Sequence, residues 1–143
     1  RVSGRVKHFI NAFGEEVIVE NTDKAIAIAC EQTGAVVNDY IAAPVYFSEG
    51  GNGSHEWLVE FEKEPSDIDQ FVSLLDASLK SINSDYEAKR HRDISLSKPI
   101  LRPLKKCVFA NWLKSKGKLG GQHKVPRLSN DRKYIEEIWS MNN

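Results

Sequence analysis

The sequence predicts an α+β fold, a small mixed or antiparallel sheet with helices packed on it. Three observations carry this. Two β-rich runs, at 35–47 and 55–64, flank a short stretch containing three glycines, which implies an antiparallel hairpin. Residues 68–82 place Ile68, Phe71, Val72, Leu75, Leu79 and Ile82 at helical spacing on one face. The order of segments reads β-α-β-β-α-α-β-α-α, which builds one sheet covered by helices.

Each element has its own signal. "GRVKHFINAFGEEVIVE" (4–20) begins extended and turns at Gly14. "NTDKAIAIACEQTG" (21–34) reads as a helix that Asn21 or Thr22 can cap and Gly34 can end in the left-handed region. "AVVNDYIAAPVYF" (35–47) is β-branched and aromatic, and Pro44, which cannot donate to a ladder, indicates an edge or a bulge. "HEWLVEFEKE" (55–64) alternates, with Trp57, Val59 and Phe61 on one face and Glu56, Leu58, Glu60 and Glu62 on the other. The helix at 65–83 has Ser66 as a natural cap, with Asp67 and Asp69 near its positive end. "SDYEAKRHRD" (84–93) adds a short polar helix capped by Ser84. "KPILRPLKKC" (98–107) reads as a third strand, placed at an edge by Pro99 and Pro103. "VFANWLKSKG" (108–117) is a helix ended by Gly117. "NDRKYIEEIWSM" (130–141) is the last helix, capped by Ser129 or Asn130, with Ile135, Ile138 and Trp139 expected in the core.

At 143 residues with 41% hydrophobic and 28% charged residues, the chain fits one globular domain. Cys30 and Cys107 lie far apart without metal-ligand spacing. They read as reduced, half-buried thiols of a cytoplasmic protein. No apolar run approaches a membrane span, and no signal peptide opens the chain. The first residue is Arg1 rather than Met, which suggests a piece of a longer chain.

The formal net charge of zero hides an asymmetry. Residues 11–88 hold sixteen acidic side chains against three basic, and residues 94–133 hold eleven basic against one acidic. A basic third can attract phosphate or an acidic partner, or can simply be a solvated face that balances the acidic half. Phosphate-loop, dinucleotide-binding, GxSxG and HExxH patterns are all absent, as is a cysteine pair suited to zinc. His8, His55, His91 and His123 are scattered and read as surface or hydrogen-bonded residues. Glu15–Glu16 and Glu136–Glu137 read as solvated faces. No metal site is expected.

Two segments stand out. One is "GRVKHFINAFGEEV" near the start. The other is "GGQHKVPRLSNDRKYIEEI" (120–138), preceded by "KSKGKLGG". Glycines there permit motion and close backbone approach. A lysine on such a loop can bring a compact charge to a phosphate. Pro126 biases Val125 to an extended conformation, which aims Lys124. A plain basic surface loop leading into a helix is the alternative.

Taken together, the two segments resemble the adenylate-forming superfamily of acyl-CoA synthetases, luciferases and peptide-synthetase adenylation domains. Gly4, Arg5, Lys7 and Gly14 stand at positions matching its hinge motif. "INAFGEE", "AAPVYF", "HEWLVEFE", "INSDYEAKR" and "GGQHKVPRLSNDRKYIEE" look like the auxin-responsive acyl acid–amido synthetases, the Gretchen Hagen family, and their bacterial relatives in particular. The resemblance covers essentially the whole chain. Two places depart from the superfamily pattern. Asn11 stands where luciferase-like members carry a second lysine, and His123 rather than glycine precedes Lys124.

The resemblance implies that residues 1–143 are a C-terminal lid domain of the adenylate-forming type. It would begin at an interdomain hinge at about residues 1–14, with a large ATP- and acyl-binding N-terminal domain preceding it. The family joins a carboxylate to AMP and passes the acyl group to an amine, usually an amino acid. Lys124 is implied as the catalytic cation, Arg127 as a phosphate contact or a lock on the closed lid, and Arg5 and Lys7 as hinge residues. ATP with Mg2+ would be bound mainly by the large domain, and by itself this chain would hold no cofactor and be inactive. The expected partners are that domain and the carboxylic acid and amine substrates, without a membrane. Two other readings are a stand-alone basic module for polyanions or nucleic acid, and a purely structural interaction domain. Nucleic acid is disfavoured because aromatic residues are not interleaved with the basic cluster.

Overall fold

The chain enters its fold as a two-stranded antiparallel ribbon. β1 (Phe9–Ile10) pairs with β2 (Val17–Ile18), Phe9 opposite Ile18 and Ile10 opposite Val17. The computed structural model describes residues 9–11, 15–46, 53–91, 96–117 and 126–142. β2 runs directly into α1 (Val19–Thr33). Asn21 acts from inside the first turn, its side chain accepting the Ile18 N–H at 3.0 Å, so the helix begins two residues before the expected caps. Gly34 ends it at φ 79°, and its N–H donates to Cys30 O.

β3 (Val36–Tyr46) and β4 (Gly53–Lys63) form the expected antiparallel hairpin, with Tyr40 opposite Val59 and Ala42 opposite Trp57. α2 (Ile68–Ile82) follows, capped by Asp67 rather than Ser66. The Asp67 carboxylate accepts from the N–H groups of Asp69 and Gln70, and a carboxylate suits the positive end of the helix. α3 (Ser84–Arg90) is capped by Asn83, one residue before the serine expected to do so. β5 (Ile100–Leu104) pairs with β4 in parallel, giving the mixed order β3-β4-β5. Pro44 and Pro103 therefore both lie on border strands, where a missing N–H costs no ladder bond. Cys107, at φ 74°, turns the chain from β5 into α4 (Val108–Gly117), and α5 (Lys133–Ser140) closes the fold.

Both faces of the sheet are covered. Tyr40, Ala42, Trp57, Val59 and Phe61 pack with Ala25 and Ala29 of α1 and with Phe71, Leu75 and Leu79 of α2. Ile41, Ala43 and Leu58 pack on the other face with Phe109 and Trp112 of α4 and Ile135 and Ile138 of α5. The alternation in β4 thus separates two interiors rather than a core from solvent. Two of its carboxylates, Glu56 and Glu60, are buried there and satisfied, while Glu62 is exposed. Glu60 accepts the Phe109 N–H at the start of α4, 3.2 Å away, and Glu56 lies between two arginines.

Three further expectations fail on burial, the first being Cys107, read as half-buried and found exposed. Glu15, read as solvated, is fully buried and lies 2.6 Å from Nε2 of the equally buried His55. Trp139, expected in the core, is 43% exposed, because α5 buries Ile135 and Ile138 and turns Trp139 toward the sheet's border.

Candidate functional site

The basic segment before α5 enters the described structure at Pro126, and its course from there is fixed by the sheet. The Ala42 N–H donates to Arg127 O at 2.8 Å and the Ser129 N–H donates to Ala42 O at 3.2 Å. Leu128 forms a parallel bridge with Ala42 and is buried in the first core. Residues 127–129 thus act as a short extra strand on the free side of β3.

Side chains reinforce this anchor. Arg127 Nε donates to Asp39 Oδ1 and Nη1 to Asp23 Oδ1, both at 3.0 Å. Its guanidinium lies 5.3 Å from the centre of the Tyr40 ring. The Tyr40 hydroxyl donates to Asp23 at 2.5 Å and sits 2.7 Å from Thr22 Oγ1. Burial and the Asp23 carboxylate both raise the Tyr40 pKa, so the phenol stays protonated as a donor. Burial works against the charge of Arg127, but Asp39 and Asp23 outweigh it and raise its pKa. The side chain of Arg127 is 38% exposed, so these pairs contribute more to orientation than to stability. Tyr40, Asp23, Asp39 and Arg127 line an open groove of about 280 Å³ that also reaches Cys30, whose thiol pKa is raised by burial.

A second cluster stands on the opposite face. Glu56 accepts from Arg102 Nε and, at 2.5 Å, from Arg132 Nη2. Arg132 also donates to Pro44 O at 3.0 Å and to Glu136 at 3.2 Å. Burial pushes the Glu56 carboxyl up, but hydrogen bonds and charge from Arg102 and Arg132 prevail and hold it below its ordinary range.

Of the site residues expected from sequence, only Arg127 falls among the described residues. Lys124, Arg5 and Lys7 lie outside them. Arg127 is met by two carboxylates of its own domain. Asp23, Asp39 and Tyr40 escaped notice in the sequence. Asp39 left one signal, an acidic residue inside a β-rich run. Among the described residues, no group of three or more His, Cys, Asp or Glu side chains could hold a metal, and no helix is long and apolar enough to cross a membrane.

A three-stranded mixed sheet covered on both faces, with residues 127–129 pinned beside it, defines a small α+β domain. The family follows from a direct match. The model of the GH3 family C-terminal domain matches residues 20–133, and the chain belongs to that family. None of the curated proteins searched matches it. Among solved structures, a GH3.15 acyl acid amido synthetase superposes with a TM-score of 0.73 at 14% identity, over 92% of this chain and 24% of its own. The AtGH3.15 acyl acid amido synthetase in complex with 2,4-DB matches equally well, over 92% of this chain and 25% of its own. The chain thus spans about a quarter of the length of these structures.

Proposed function

We propose that the chain is the mobile C-terminal domain of an ATP-dependent acyl acid–amido synthetase. The family match across residues 20–133 carries this reading. In it, a large N-terminal domain of the same protein precedes residue 1, residues 1–14 contain the hinge with Arg5 and Lys7, and the whole enzyme is an acid–amino acid ligase. It would act in the cytoplasm, adenylate a carboxylate and transfer the acyl group to an amine. ATP with Mg2+ would be held mainly by the large domain.

Lys124 is the group through which this domain would act. Adenylation builds negative charge at phosphorus, and a cation delivered by a closing lid stabilises it while water is excluded from the acyl-adenylate. Lys124 stands three residues before Arg127, and the carbonyl of Arg127 is bonded to β3. Such an anchor limits the volume a loop lysine must search. Arg127 follows Lys124 by three residues in the sequence. Its Nε and Nη1 are held by Asp39 and Asp23, so its part in this reading is to lock the base of the segment that carries Lys124.

The family match lends the polyanion-binding reading no support, and Arg127 and Arg132, two of the eleven basic residues at 94–133, are each paired with a carboxylate.

The test uses the intact protein with its large domain. It should catalyse acid-dependent exchange between ATP and pyrophosphate, and Lys124→Ala should slow that exchange by about 10²–10³-fold, as expected for loss of one preorganised charge stabiliser. Exchange at the parental rate in the variant defeats the role given to Lys124.

A further inference from the structure

Two kinds of contact hold residues 127–129 against β3, and they do different jobs. The backbone bonds of Arg127 and Ser129 to Ala42 place a strand there. Nearly every residue carries the same backbone groups, so these bonds do not choose which one faces Ala42. Burial of Leu128 narrows the choice. A slip of one residue would turn Leu128 away from the core. A slip of two residues in one direction would bury the amide of Asn130 in its place, which is costly. A slip of two in the other direction would bring Pro126 there, and Pro126 is apolar and already buried. Burial alone does not exclude that register.

The Arg127 side chain does exclude it. Nε meets Asp39 of β3 and Nη1 meets Asp23 of α1. Both carboxylates are held from behind. Asp39 Oδ1 also accepts the Tyr40 N–H at 2.9 Å, and Asp23 accepts the Tyr40 hydroxyl. Two acids on two elements thus aim at one guanidinium. After the slip Val125 would stand in its place, and neither acid would keep its cation. The bond from the Asn11 N–H to Asn130 Oδ1, 2.8 Å, would break as well. A parallel strand rises about 3.3 Å per residue, so the slip would carry whatever is joined to the segment about 6.6 Å along β3. Lys124 is joined to it, two residues before Pro126. A misplacement of about 1 Å can already cost a reaction about 10²-fold.

We infer that Asp39 and Asp23 are positioning residues: through Arg127 they lock the register of residues 126–129 on β3 and so set the point from which Lys124 reaches. The inference rests on the role proposed for Lys124, and its test separates the two. The side chains of Asp39 and Arg127 are 25% and 38% exposed, so Asp39→Ala leaves the fold standing. In the intact enzyme with that substitution, hydrogen exchange over residues 127–130 should quicken about tenfold while that of α2 stays unchanged. The kcat of ATP–pyrophosphate exchange should fall about 10–100-fold, with the KM for the acid within about twofold of the parent. Asp39→Asn, which keeps the oxygen that faces Nε, should restore most of the rate. In a Lys124→Ala background, Asp39→Ala should slow nothing further, because the group it positions is gone. Unchanged hydrogen exchange at 127–130 overturns the register lock. A slow Lys124→Ala beside a fast Asp39→Ala, or an equal loss from Asp39→Ala in both backgrounds, overturns the positioning and leaves the proposed function standing. Lys124→Ala at the parental rate overturns the proposed role of Lys124, and the positioning falls with it.

Discussion

Asp76 shows how one residue can hold two helices together, α2 and α3. It accepts from Arg90 through both oxygens, at 2.8 and 2.6 Å, and from the Tyr86 hydroxyl at 2.7 Å. Arg90 in turn donates to Leu96 O at 3.2 Å. Burial pushes the Asp76 carboxyl up, but its hydrogen bonds and the nearby positive charges outweigh this and set its pKa below the ordinary value. Both members of the pair are only 7% exposed. Asp76→Ala should therefore destabilise by about 3–5 kcal/mol, because it removes the carboxylate that meets a buried guanidinium through two hydrogen bonds. Urea denaturation measures this, and a loss below about 1 kcal/mol would mean that water replaces the carboxylate. The pH dependence follows in sign. Asp76 and Glu56 have lowered folded pKa values, so their contribution is present above the unfolded values near 4 and is lost as pH falls through the folded ones. The urea midpoint should drop on acidification below about pH 4, and less steeply in Asp76→Ala than in the parent.

At the scale of elements, periodicity and punctuation located every helix and the three longer strands among the described residues. The hairpin, the Gly34 stop and the stripe on α2 all lie where the sequence places them, because each depends on neighbours a few residues away. Long-range contacts were not legible. No local pattern says that β5 joins β4 in parallel, that α4 and α5 cover the glutamate face of β4, or that Glu15 reaches His55 forty residues on. The site shows the same division. The basic segment before α5 is visible as composition, whereas Asp23 and Asp39 become its partners only once α1 and β3 are packed. The caps of α2 and α3 moved by one residue, since serine, asparagine and aspartate compete for one role, whereas α5, expected to be capped by Ser129 or Asn130, has Arg132 at its N-cap without a side-chain bond. Two predictions belong here. Asp67→Ala should cost about 1 kcal/mol by freeing the Asp69 and Gln70 N–H groups. Gly34→Ala meets no atom within 4 Å, so its cost of about 1–2 kcal/mol comes from the left-handed backbone alone. Thermal unfolding reads both, and an unchanged Gly34→Ala midpoint would mean that the turn relaxes.

On the scale of the whole molecule, the sheet is a partition with a helical layer on each side, and its outer borders are what another chain could reach. β3 is eleven residues long and ends the sheet on one side. Exposed strands of that length invite edge-to-edge pairing. Here the two hydrogen bonds from Ala42 to residues 127 and 129 occupy the middle of that border, and an incoming β-strand would find only short stubs on either side. Arg127 would then guard solubility as well as geometry. Arg127→Ala, which removes both ion pairs from that plug, should scatter more light on gentle warming at temperatures where secondary structure is still intact. Scattering that begins only with global melting would show that the backbone contacts suffice to keep the molecules apart.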